Sequence, residues 1–217
     1  MSAAAADATR QRLLEVAGPL FAEHGFRDTG IKQICTAAGC NVAAVNYHFG
    51  SKQTFYAAVL AAAHQSAFVG HPMPAPAKGT PAAEEFTQWL SWWMGSMLHP
   101  DRPIWLQTLI AREMVDPTPA LDTMVERSIR PMYQRLTSLV KRLVPKGTSP
   151  GRVRLCTNSV IGQVLVYKHA APVLTRLRAL PSFSPAGLRE LSEHTASFSL
   201  AGIQSASAAT PRRRASR

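Results

Sequence analysis

Two eight-residue helical patterns, 31–38 and 42–49, flank Gly39, and this spacing constrains the fold more than any other feature of the chain. A glycine at that point supplies the positive φ that a tight turn between two helices needs. Asn41 is the expected cap of the second helix and Gly50 its stop, while Ser51 is placed to cap a longer helix reaching about Ser66. Upstream, Thr9 is expected to cap a helix in which Leu13, Ala17, Leu20, Phe21 and His24 share a face, with Gly25 ending it. The pattern predicts a helix-turn-helix packed on a longer first helix.

The segment 70–81, with Pro72, Pro74, Pro76, Pro81, Gly70 and Gly79, breaks this pattern and marks a boundary. Beyond it, helical periodicity returns over 81–99, 103–115, 119–144, 150–177 and 185–205. Pro131 and Pro172 fall inside these runs, and each is expected to kink or restart its helix. No strand-like alternation extends beyond four or five residues. The chain reads as all-α throughout.

Charge excludes several classes. With 46% apolar and only 17% charged residues in 217, the chain resembles a folded protein and not a disordered one. Its longest apolar candidate, from Ser159 to Tyr167, is too short to span a bilayer and is interrupted by Gln163. The opening MSAAAADATRQR lacks the pattern of a secretory signal. Three cysteines cannot all pair within a chain, and Cys35 and Cys40 have neither CxxC nor zinc-ribbon spacing, so they read as packing residues of a cytoplasmic protein. The seven histidines are scattered and no HExxH or GxSxG occurs, so no enzyme, metal or cofactor is expected. The net charge of +11 is uneven. Residues 1–66 hold five bases and four acids, whereas 127–189 hold twelve bases and no acid, and 211–217 add four arginines.

Function is best read from residues 10–56. A helix entering the major groove needs a slim leading edge, which Val42, Ala43 and Ala44 supply, and alanine methyls can touch thymine methyls. Asn46, one turn on, can donate and accept together, the pairing that reads adenine. Thr29 and Asn41 at helix starts, Tyr47 and His48 at the end of the reading helix, and Lys52 at the next helix start are expected as phosphate ligands. Arg10 and Arg12 fit a backbone contact and a solvated charge equally well.

The string Phe21-Ala-Glu-His-Gly-Phe, Thr29, Ile34-Cys-Thr-Ala-Ala-Gly39 and Asn41 to Lys52 resembles the DNA-binding domain of the TetR/AcrR family of bacterial transcription regulators. Asn41 stands where Ser or Thr is usual, and Asn46 where many members carry an apolar residue. Further on, Ala111-Arg-Glu-Met, Asp116-Pro-Thr-Pro-Ala-Leu-Asp, Ile129-Arg-Pro-Met-Tyr, Val160-Ile-Gly-Gln-Val-Leu-Val-Tyr and Phe198-Ser-Leu-Ala-Gly-Ile resemble the C-terminal domain of the CecR-like branch. The resemblance implies a homeodomain-like three-helix reader with a connecting helix over 1–66, a linker over 67–81, a helical effector and dimerisation domain over 82–206, and a basic tail over 207–217. It further implies a homodimer on a palindromic double-stranded operator, acting as a repressor that a small molecule releases. An activator or corepressor-dependent regulator of the same fold is the alternative, with an all-helical enzyme as a remote one.

For the effector, Trp89, Trp93, Met97 and Trp105 offer an apolar, aromatic lining. Arg112, Glu113, Tyr133, Gln163, Tyr167 and His169 are polar groups within apolar helical stretches and would orient a ligand, although Arg112 and Glu113 could pair with each other. The acid-free run allows an anionic effector as well as an aromatic one, or serves only as a solvated surface. The resemblance implies a subunit interface through 150–177 and 185–205 as a four-helix bundle, and both segments carry apolar stripes (Val153, Val160, Ile161, Val164, Leu165 and Leu188, Leu191, Phe198, Leu200, Ile203).

Overall fold

The computed structural model describes residues 3–68, 72–99 and 103–206, and is helical with no strand among them. Its helices are α1 (Ala3–Asp28), α2 (Ile31–Ala38), α3 (Val42–Phe49), α4 (Lys52–Gln65), α5 (Ala82–Leu98), α6 (Ile104–Val115), α7 (Ala120–Met124), α8 (Arg130–Leu143), α9 (Pro150–His169), α10 (Ala171–Arg176) and α11 (Pro185–Ser205). None is long and apolar enough to cross a membrane. The expected basic tail, 207–217, lies outside the described residues, as does part of the 67–81 linker.

Two compact units form. The first combines α1–α4 with α6 and α7; the second combines α5 with α8 (from Met132 on) through α11. A single cut across 67–81 therefore does not separate them. The reason is the apolar stripe of α6, where Leu106, Leu109 and Ile110 are buried in the same core as Leu13, Phe21, Phe55 and Tyr56.

The first unit is built on aromatic packing. Phe21 meets the rings of Tyr56 and Phe55 edge-on, at 4.8 and 6.1 Å, and Phe49 lies 4.4 Å from Phe55. Each such fully buried side chain stabilises the fold by about 1.5–3 kcal/mol. Gly18 lets α6 approach closely, since a Cβ there would stand 2.4 Å from the Trp105 ring.

At Gly25 (φ 81°, ψ 174°) α1 breaks. A break frees carbonyls that must find donors. The Thr29 hydroxyl takes Gly25 O at 2.6 Å and Leu20 O at 3.2 Å, and the Arg112 guanidinium takes Ala22 O and Glu23 O, both at 2.8 Å. The start of α1 corrects the expected cap: the helix begins at Ala3, and the Thr9 hydroxyl donates back to Ala5 O at 3.0 Å. The alanine-rich N-terminal stretch has enough helix propensity to run past a possible cap.

Both interior prolines act as expected. A π-helical turn over Val125–Ile129 precedes Pro131 and widens the backbone where its ring would meet the carbonyl four residues back. At Pro172 the chain restarts, α9 ending at His169 and α10 beginning at Ala171.

In the second unit α5 packs against α9 and α11, with Phe86, Leu90 and Met94 inside, alongside Leu136, Leu139 and Val140 of α8. Glu85 of α5 is buried and bridges Arg135 and Arg142 of α8.

Candidate nucleic-acid interface

The turn between α2 and α3 has the expected chemistry. Gly39 is left-handed (φ 63°, ψ 36°), and its N–H donates to Thr36 O at 3.2 Å. Asn41 caps α3 by accepting from the Ala44 N–H at 3.1 Å, which leaves its side-chain amide N–H groups for another partner. At the far end Gly50 (φ 76°) donates its N–H to Asn46 O at 3.0 Å, and the Ser51 hydroxyl caps α4 by accepting from the Thr54 N–H at 3.1 Å.

Only Val45 and Phe49 of α3 are buried. Opposite them Val42, Ala43, Asn46 and Tyr47 are exposed, and Ala44 and His48 are half-buried. Tyr47 is 78% exposed, an unusual position for an aromatic ring, and meets the His48 ring edge-on at 4.9 Å. The Lys52 ammonium donates to Arg27 O at 3.0 Å and lies 4.9 Å from the centre of the Phe26 ring. One of its three donors is thus used to hold it in place at the start of α4. Asn41, Val42, Ala43, Ala44, Asn46, Tyr47, His48 and Lys52 are therefore brought together along one edge of the helix pair and its flanking turns.

Thr29 is the exception. It is 0% exposed, and its hydroxyl serves the carbonyls at the break in α1, so it has none to offer a phosphate. Its position before α2 is right, but the break made a structural demand that spacing alone did not reveal. The Arg10 guanidinium lies 5.3 Å from the centre of the Phe49 ring, a contact that neither reading of Arg10 includes.

A short helix, anchored by two residues and presenting small and polar side chains to solvent, can enter a major groove. Residues 13–59 match the profile of the bacterial regulatory proteins of the tetR family, and residues 82–203 match the C-terminal domain of HTH-type transcriptional dual regulator CecR. The chain belongs to the TetR family, with a CecR-type C-terminal domain. The TetR-family relative CecR of Shigella flexneri, an HTH-type transcriptional dual regulator, is 30% identical over 171 residues, which span 73% of this chain and 75% of that one. A tetR family transcription regulator from Shewanella sp. PV-4 has a similar fold (TM-score 0.58, 17% identity, 91% of this chain and 97% of that one). So does the flavonoid-responsive regulator FrrA (TM-score 0.63, 18% identity, 90% and 97%). As a TetR-family member, the protein is a DNA-binding transcription regulator and not an enzyme.

The effector candidates of this TetR-family chain fall into two groups. Trp105, Arg112 and Glu113 belong to the first unit, where each is occupied: Trp105 against Gly18, Arg112 on the carbonyls of α1, and Glu113 accepting from Tyr56 Oη at 2.7 Å and the Thr118 N–H at 3.0 Å. A broken helix and a carboxylate that is 1% exposed both require partners, which these contacts supply, and Arg112 and Glu113 also line a cavity with Tyr56 and Thr118. Arg112 and Glu113 are bonded to other groups, not to each other.

The remaining candidates lie in the second unit. Trp89 and Trp93 are buried with ring centres 5.4 Å apart, and Met97 and Tyr167 are half-buried. Tyr133 Oη donates to Asn158 Oδ1 at 3.2 Å, and Gln163 Nε2 donates to Ser199 Oγ at 3.1 Å. His169 keeps an exposed edge, but its partial burial, followed by the adjacent Lys168 ammonium, holds the imidazole below its ordinary pKa. Two polar groups of α5, Trp89 Nε1 and Ser96 Oγ, are buried with no hydrogen-bond partner among the described residues. Ser96 was not legible as a candidate, because a serine in a tryptophan-rich helix carries no signal of its own.

Proposed function

We propose that the protein is a cytoplasmic homodimeric repressor that binds a palindromic operator and is released from it by a small molecule. The exposed face of α3 carries this reading. Val42, Ala43 and Ala44 give it a slim edge, Asn46 meets a base, and Asn41, Tyr47, His48 and Lys52 hold the phosphates on either side. Two copies related by a two-fold axis would place their α3 helices in successive major grooves, roughly 34–36 Å apart.

In this reading residues 1–66 carry the DNA contacts and residues 82–206 the effector and the subunit interface. Of the expected stripe residues, Val153, Val160, Val164, Leu191 and Ile203 are buried within the chain itself, whereas Phe198 on α11, with Leu155 and Val166 on α9, is exposed, which supports burial of these apolar side chains against a second copy as a four-helix bundle. Trp89, Trp93 and Met97 supply an apolar lining for the effector, with Tyr133, Gln163, Tyr167 and His169 as orienting groups. The unpaired donors Trp89 Nε1 and Ser96 Oγ favour an aromatic ligand carrying acceptor oxygens. FrrA, of similar fold, responds to flavonoids. An anionic effector is less well supported, because Arg135 and Arg142 from the acid-free run are bound to Glu85, and Arg130 to Glu126.

The test is selection of genomic fragments by the purified protein at low and moderate salt, with light scattering on the same sample. Enrichment of a palindrome by a dimer is the expected result, and addition of the correct effector releases the fragment. A monomer, or enrichment of no sequence at either salt, overturns the proposal.

A further inference from the structure

Cys35 and Cys40 are separated by four residues, yet the C-terminal cap of α2 folds one back towards the other. Gly39 turns the chain, and the Cys40 N–H donates to Cys35 O at 3.0 Å, across five residues. In this kind of cap the side chains at those two positions meet, a place usually filled by two apolar groups. Here both are thiols. Cys35 is 3% exposed, whereas Cys40 is only partly buried. Burial, and then the neighbouring Cys40 sulfur, push the Cys35 thiol up to about 11. Cys35 thus stays protonated at neutral pH, and Cys40 is the sulfur that a solvent-borne oxidant meets first. The remaining cysteine, Cys156, lies on α9 in the second unit.

We propose that Cys35 and Cys40 are a reversible oxidation site in the turn of the helix-turn-helix, at which a hydroperoxide converts the two thiols into one disulfide. The Cys40 sulfur attacks the peroxide oxygen, the O–O bond breaks, and with hydrogen peroxide one water leaves as Cys40 becomes a sulfenic acid. The Cys35 sulfur then displaces the sulfenic oxygen, which departs as a second water carrying the Cys35 proton. The two thiols together lose two protons and two electrons, and the peroxide is reduced to water. Two equivalents of an external thiol reverse the change and are themselves joined as a disulfide.

Closing the bond draws the two sulfurs to about 2.05 Å. Cys40 directly precedes Asn41, the cap of α3, so the bond pulls on the entry to the reading helix. This regulatory consequence rests on the DNA-binding role of α3, while the thiol chemistry does not.

The test uses the full chain, reduced and then treated with hydrogen peroxide, followed by alkylation in denaturant at alkaline pH and intact-mass analysis. Before oxidation all three cysteines are alkylated. After it only Cys156 is labelled, the peptide holding residues 35–40 has lost two hydrogens, and dithiothreitol restores all three labels. The Cys40→Ser variant keeps its labels on Cys35 and Cys156 throughout. Survival of all three labels, oxidation of Cys40 to a sulfinic acid with Cys35 still labelled, or loss of the Cys35 label in Cys40→Ser overturns the site. On a genomic fragment selected by the reduced protein, oxidation weakens binding about tenfold or more. Reduction restores binding, Cys156→Ser responds as wild type does, and Cys40→Ser does not respond. A disulfide that leaves affinity unchanged overturns the regulatory role. Reduced protein that binds no fragment overturns the DNA-binding role instead, and the label count distinguishes the two failures.

Discussion

Tyr56 of α4 donates its phenolic hydroxyl to Glu113 of α6 across 2.7 Å, in a part of the core where the carboxylate is 1% exposed. Burial first, and the carboxylate second, raise the phenol above its ordinary pKa, so it remains a donor throughout the working pH range. Thr118 supplies the remaining bonds to Glu113, from its N–H and its hydroxyl. Tyr56→Phe keeps the ring against Phe21 but leaves the buried carboxylate short of one donor. The expected loss is about 1–3 kcal/mol in urea unfolding. An unchanged midpoint would mean that Glu113 is satisfied without Tyr56.

Gly18→Ala sets a methyl 2.4 Å from the Trp105 ring, a half-buried indole that packs against the core and would have to shift. Overpacking of this kind costs about 1–3 kcal/mol. A lowered thermal midpoint, with a change in tryptophan emission, is expected. Wild-type values for both would show that α6 yields easily.

Lys52→Ala and Asn46→Ala test the two kinds of DNA contact proposed for α3 and its flank. The first weakens binding to every sequence and lowers the salt slope by about one per subunit. The second relaxes the preference at one base position by about 1–3 kcal/mol if its contact is bidentate. Titrations of an operator and its single-base variants at several salt concentrations measure both. Equal losses across all variants for Asn46→Ala would assign it a structural role.

Glu85→Gln removes the charge that holds Arg135 and Arg142 together. A cost of about 2–3 kcal/mol is expected in chemical unfolding, below that of a fully buried pair because both arginines reach solvent. Repulsion between the two guanidinium groups makes the variant more salt-sensitive than wild type, a difference that unfolding at low and high salt detects. Equal stability at both would mean that the arginines find other partners.

The helix-turn-helix was legible because its signals are local. Gly39, Asn41, Gly50 and Ser51 each act within one turn, and each has the predicted backbone role. Thr29 was misread as a phosphate ligand because its partners, Gly25 O and Leu20 O, matter only once α1 has broken. Arg112 and Glu113 have partners that are equally invisible in the sequence. A polar residue in an apolar stretch must have a partner, but sequence does not say whether that partner is a ligand or a distant backbone carbonyl, such as Ala22 O, 90 positions away. Seen along the chain, the run of twelve bases without an acid suggested free positive charge; Glu85, well upstream of it, neutralises part of it through space.

With Val45 and Phe49 of α3 buried and Ala44 packed partly against the same core, the exposed positions Val42, Ala43, Asn46 and Tyr47 can mutate with little effect on the interior. Target choice and foldability are thereby nearly uncoupled in this segment. A lineage carrying this scaffold can drift to a new promoter through substitutions that cost little thermodynamically, while the same two anchors continue to seat the helix.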